Sequence, residues 1–182
     1  PLQAALYYDQ QAVASGTLYS LISGHFIHSD FSHWLWNCLA MLILGTVIEL
    51  ASKRLLIGCL LAGIVGVDIL LLSALNPLDY YCGLSGVLNS LLVVALWLVW
   101  RQTRSPWVAV SAMLCMGKII IEINSQQSLL THISWPPYPA AHGAGAIAGL
   151  LLVLWQFVKA YNTESRGNIL NEKTLSRFNK PT

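Results

Sequence analysis

Three short patterns in this chain assemble residue types that carry out nucleophilic and proton-transfer chemistry. The first is Gly83-Leu84-Ser85-Gly86. Read as the start of a helix, it sets a hydroxyl among backbone N–H groups that lack intrahelical partners, at the positive end of the dipole, which suits stabilisation of an oxyanion. The flanking glycines allow close approach of a substrate backbone. Taken alone, the pattern reads equally as an N-cap followed by a packing glycine. It is not the hydrolase nucleophile elbow, because Val87 stands where that motif has its last glycine.

The second pattern is Ala141-His142-Gly143-Ala144-Gly145, continued to Gly149. Helical spacing puts His142, Gly145 and Gly149 on one face, and such small-residue stripes let two membrane helices approach closely. Gly86, next to Ser85, offers the matching small residue, so the two helices are expected to touch. A packing seam with an incidental histidine is the other reading. The third pattern is His33-Trp34-Leu35-Trp36-Asn37, preceded by His28 and followed by Glu49. His33 and Asn37 stack at i, i+4 and could aim two donors at a developing negative charge, or make a structural interhelical hydrogen bond.

The elements that must hold these groups follow from composition. The chain has 182 residues, of which 55% are hydrophobic and 10% charged, against roughly 25% charged in an ordinary soluble domain. The solvent for such a chain is lipid. A net charge of +2 supplies no basic stripe, so nucleic acid is excluded as a partner and the bilayer takes its place. Cys38, Cys59, Cys82 and Cys115 lack C-x-x-C spacing, so no zinc site or disulfide framework is read, and neither a metal nor a cofactor is expected.

A hydrocarbon core of about 30 Å needs about 20 apolar residues in a helix. Five candidate spans lie near 33–51, 55–75, 85–100, 106–123 and 140–159, separated by Lys53-Arg54, Asn76 to Asp79, Arg101 to Ser105, and a proline-rich stretch from Asn124 to Pro139. Assigning the loops alternately to two sides puts every Lys and Arg except Lys118 on one side, which the positive-inside rule makes cytoplasmic. His25, His28, His33, His132 and His142 fall at or near the other side. Residues 1–16 are mixed and carry no signal-peptide pattern; their placement outside implies a further span ahead of Pro1. Residues after Asn162 are polar, basic and expected to be flexible.

In this order and on alternate spans, His33-x-x-x-Asn37, Gly83-Leu84-Ser85-Gly86 and Ala141-His142-x-x-Gly145-x-x-x-Gly149 resemble the rhomboid intramembrane serine proteases, over approximately residues 18–158. The resemblance implies an all-α, polytopic transmembrane bundle, with five spans present and the first of six missing. It also implies a membrane domain over residues 1–160 with a polar cytoplasmic tail over 161–182. Ser85 would be the nucleophile and His142 its base, with the Ser85 N–H, His33 and Asn37 as the oxyanion hole. Gly83, Gly86, Gly145 and Gly149 would pack the helices at the site, and Glu49 would take a structural acidic position. The finer resemblance is to the rhombosortase branch, carried by Ser23 to His28, Tyr81 to Leu88, Trp135 and the short length. That branch implies a bacterial inner-membrane protease, active near the periplasmic side, whose substrates are envelope proteins with a C-terminal Gly-Gly anchor helix. The Trp-Arg pair of many rhomboids is absent, with Leu18-Tyr19-Ser20 in about its place.

No acid with the spacing to orient His142 is evident: Asp79 lies in a loop and Asp68 inside a span, so a Ser-His dyad is expected. Lys118 and Glu122, at i, i+4, are expected to pair or to snorkel, in a structural role, with a gate or lipid contact as the other reading. Trp135-Pro136-Pro137-Tyr138-Pro139 reads as an interfacial belt or as a lid over the substrate. Two competing functions remain in view. A catalytically inactive rhomboid-like binder of membrane helices would have lost Ser85 or His142, and a transporter would need polar residues through the whole bilayer rather than at one end.

Overall fold

The structure, a computed structural model, describes residues 5–127, 129 and 137–178, and of 161–178 the helical course alone. The chain starts with a short strand β1 (Tyr8–Asp9) and two single-turn helices, α1 (Gln10–Ala14) and α2 (Tyr19–Ser23). The Asp9 carboxylate caps α1 by accepting the N–H groups of Gln11 and Ala12.

Long helices follow, as hydrocarbon demands of a backbone that must satisfy its own polar groups. The Asp30 carboxylate accepts the His33 N–H at 2.8 Å and so starts α3 (Phe31–Ala51). Ser52, in extended conformation, ends α3 and caps α4 (Lys53–Leu71) through the Leu55 N–H. One residue therefore joins two antiparallel spans. After strand β2 (Tyr80–Tyr81), α5 (Ser85–Thr103) runs until Arg104 turns left-handed at φ 50°. Pro106, which needs no N–H partner at a helix start, opens α6 (Pro106–Ser125), and Gln126 closes it at φ 54°. The last helix is α7 (Pro139–Phe178).

Five helices are long and apolar enough to cross a membrane: α3 to α6 and residues 139–160 of α7. The protein is a multi-pass membrane bundle. Two expectations need correction. The second span ends at Leu71 rather than near 75, because Ser73 and Asn76 stop it: the Ser73 hydroxyl donates to the Leu70 carbonyl and the Asn76 amide to the Leu71 carbonyl. The tail continues as helix to Phe178; no proline occurs between Ala140 and Lys180, and a helix already nucleated extends at little cost.

Helix α5 sits at the centre, packed against α7, α4 and α3. Val87, Leu91 and Val94 are fully buried and meet Ile48 of α3, Cys59 of α4 and Val153 of α7. Buried Ser90 donates its hydroxyl proton to the Cys59 carbonyl at 2.7 Å. The opposite faces of the outer helices expose Leu42, Ile57, Leu61, Met113, Ile120, Leu151 and Phe157, the surface a bilayer would cover.

The residues before α3 close one end of this bundle. β1 pairs antiparallel with β2, Tyr8 opposite Tyr81. The Tyr8 hydroxyl donates to the Leu71 carbonyl at 2.9 Å, and His25, wholly buried, holds Asp68 of α4 at 3.1 Å. The sequence marked 1–16 only as a mixed stretch. Its partner is more than seventy residues away, and two-residue strands carry no periodicity to read.

Candidate active site

The strand pairing delivers the chain to the turn before α5. Gly83 has φ +115°, a conformation that favours glycine, and donates its N–H to the Gly24 carbonyl at 3.0 Å. The buried Tyr81 hydroxyl donates to the Gly83 carbonyl at 3.0 Å. Burial raises the pKa of that hydroxyl, so it remains a donor, and likewise pushes the neighbouring Cys82 thiol up to about 12. The His33 ring lies on Gly83, where a Cβ would come within 2.5 Å of its Cε1 atom. The turn thus needs glycine twice, for its dihedral and for the imidazole above it. Ser85 follows as the first residue of α5.

Helix α7 reaches Ser85 because it has no side chains in the way. Gly145 lies directly against the Gly86 carbonyl, and a Cβ on Gly149 would stand 2.5 Å from the Ser90 carbonyl oxygen. At this backbone-to-backbone distance His142, one turn before Gly145, brings Nε2 to 3.0 Å from Ser85 Oγ. A hydroxyl and an imidazole in that relation can act as a nucleophile and its base.

On the other side of Ser85 stands α3. Asn37 is buried at 6% exposure, and its Nδ2 has no protein partner among the described residues. His33 Nδ1 is 3.2 Å from the Ser29 hydroxyl, and its ring meets His28 edge to face at 4.9 Å. Burial holds His28 below the usual histidine pKa. Ser85, Asn37, His33 and His142 all line one cavity of about 810 Å³ between α3 and α6. Trp36, Ala40, Ile43 and Leu44 of α3 and Leu88 and Leu92 of α5 form its apolar wall, and Pro137 and Tyr138 its rim.

The residues singled out by motif are therefore brought to the Ser85 end of the bundle, and four of those named with them do not line the cavity or fall outside the described residues. His25 is sequestered by Asp68 away from the cavity lining. Glu49 lies at the far end, exposed, 3.8 Å from Lys53. His132 and Trp135 fall outside the described residues. The expectation that no acid stands by His142 is corrected. Glu122 of α6, fully buried, has Oε2 at 3.3 Å from His142 Nδ1 and at 2.7 Å from Lys118 Nζ. The expected Lys118–Glu122 pair is present, but the carboxylate has this further partner. A signal did exist: an ionisable group inside a span is by default a functional candidate, and Glu122 ends its span at the same level at which His142 begins the next.

A family model described as the Rhomboid domain matches residues 15–159. Among curated proteins and among solved structures, nothing matches the chain.

Proposed function

Because the chain belongs to the rhomboid family, we propose that it is an intramembrane serine endopeptidase in which Ser85 attacks and His142 takes the proton. The observation that carries this reading is the 3.0 Å contact between Ser85 Oγ and His142 Nε2, at the wall of a cavity inside an apolar bundle. Attack by Oγ on the scissile carbonyl carbon passes the hydroxyl proton to Nε2 and the carbonyl electron pair to oxygen. The resulting oxyanion is met by Asn37 Nδ2, by His33 and by the N–H of Ser85, the first residue of a helix. Collapse expels the amine, which leaves with the proton from Nε2. Water then hydrolyses the acyl ester with His142 again as base.

The substrate is a membrane-anchored protein, and within that class we assign the C-terminal anchors of bacterial envelope proteins that begin with Gly-Gly, as in the rhombosortase branch. A nucleophile can reach a backbone carbonyl only where the substrate helix is unwound. Each glycine is about 1 kcal/mol less favourable than alanine in a helix, so a Gly-Gly pair at the anchor's start unwinds readily at the cavity mouth. With the basic loops in the cytoplasm, Ser85 lies toward the periplasmic face of the inner membrane. The inactive-binder alternative loses ground because both Ser85 and His142 are present and in contact.

The test is active-site labelling. A fluorophosphonate should label the wild-type protein covalently and leave Ser85→Ala and His142→Ala unlabelled, with both variants keeping their helix content in detergent. The same two substitutions should abolish release of a Gly-Gly anchored reporter. Undiminished labelling or cleavage in Ser85→Ala would remove the proposal.

A further inference from the structure

Helix α6 buries only Ile119 and Glu122 along its length. A carboxylate at 0% exposure inside a membrane bundle is costly unless charge and hydrogen bonds compensate it. Among the described residues, every hydrogen-bonding or ion-pairing neighbour of Glu122 is a donor. Lys118 Nζ and His142 Nδ1 share Oε2, and the Leu129 N–H donates to Oε1 at 3.0 Å. A carboxylate among donors only accepts. The His142 nitrogen that faces it therefore carries the ring proton, which leaves Nε2 with its lone pair directed at the Ser85 hydroxyl.

We infer that Glu122 is a positioning residue that fixes His142 in the Nδ1–H tautomer, with Lys118 locking the orientation of the carboxylate. The tautomer follows from the contacts alone; what it is used for rests on the protease reading above. With that reading, the neutral ring is held in the one form able to take the serine proton. The charge it then gains arises beside a carboxylate that needs no reorganisation to meet it. The Lys118–Glu122 pair is balanced before the reaction, and the imidazolium and oxyanion appear together, so the site never holds an uncompensated charge.

A simple latch between α6 and α7 would use the same contacts, and a paired substitution separates the two roles. Replacing both members of a buried ion pair with apolar residues usually preserves stability, whereas removing one leaves a charge stranded. The double variant Lys118→Met/Glu122→Leu strands no charge and keeps apolar packing between α6 and α7, so it separates loss of the carboxylate at His142 from loss of the fold.

The experiment uses the full chain in detergent, comparing wild type, Glu122→Gln, Glu122→Asp and the double variant. It reads melting temperature, the rate of Ser85 labelling by a fluorophosphonate, and the 15N resonances of His142, assigned by their loss in His142→Ala. Glu122→Gln and the double variant are expected to label at least about 100-fold more slowly, following the large rate losses seen when a histidine's orienting acid is made neutral. The double variant should keep its helix content and a cooperative melting transition, so that a lost rate is not a lost fold. Both should lose the Nδ1–H signature, and Glu122→Asp should recover part of the rate. Wild-type labelling by the double variant, or an unchanged Nδ1–H ring in Glu122→Gln, would overturn the inference while leaving Ser85 and His142 in place. If the wild type does not label at all, the protease reading fails, and the His142 tautomer in wild type and Glu122→Gln still decides the role of Glu122.

Discussion

Asn37 shows how a polar side chain becomes affordable inside a membrane bundle. Its amide is buried, its Nδ2 has no protein partner among the described residues, and it shares the cavity wall with Ser85. Under the proposed protease reading, such an amide gains its hydrogen bond when a carbonyl oxygen turns anionic, so its contribution would fall on the transition state. Asn37→Ala is thus expected to lower kcat by about 10²- to 10³-fold, the usual cost of one oxyanion donor, with little change in KM. A change confined to KM, measured on a Gly-Gly anchored reporter, would assign Asn37 to substrate binding instead. His142 differs in kind, because the base role proposed for it depends on which nitrogen holds the proton, and spacing along the chain says nothing about that.

At the scale of elements, the junction of α5 and α7 decides whether the two reactive groups meet. Gly145 against the Gly86 carbonyl and Gly149 against Ser90 leave no gap for a side chain. A branched side chain at Gly145 must push the helices apart, and overpacking of this kind typically costs about 1–3 kcal/mol. Gly145→Val is expected to lower the melting temperature and to slow fluorophosphonate labelling by more than tenfold. Gly117→Ala is the control, since a Cβ at Gly117 of α6 meets nothing within 4 Å; it should change neither. Equal labelling by Gly145→Val and wild type would mean that the Ser85–His142 distance does not depend on this seam.

For the whole molecule, the segment before α3 acts as a brace across the Ser85 end of the bundle. Tyr8 ties it to α4, His25 to Asp68, and Gly24 to the turn at Gly83. His28 sits in this brace, and burial lowers its pKa from 6.5, so the fold accepts the neutral ring more readily than the charged one. The unfolded chain binds the proton first as pH falls. Stability should therefore be steady above pH 6.5 and decline below it, the decline ending once the folded protein is protonated too. Melting temperatures taken between about pH 7.5 and about pH 5.5 should fall less for His28→Asn than for wild type. Parallel curves would place the pH dependence elsewhere.

The sequence by itself determined the solvent, the five spans and the level of the chemical groups, because each is a one-dimensional property. The length of an apolar run, a proline at a helix start and the position of Ser85, His142 and Asn37 at span ends can all be counted along the chain. Even there, hydropathy missed where α4 stops, since Leu72 to Leu75 are compatible with a span and only the side chains of Ser73 and Asn76 end the helix. Tertiary structure alone decided the rest. Whether Glu122 turns toward Lys118 or also toward His142 depends on the rotation of α6 about its own axis and its distance from α7, and the pairing of Tyr8 with Tyr81 depends on closing a loop across two spans. These are relations between elements in space, fixed by packing around α5, and no spacing within one helix encodes them.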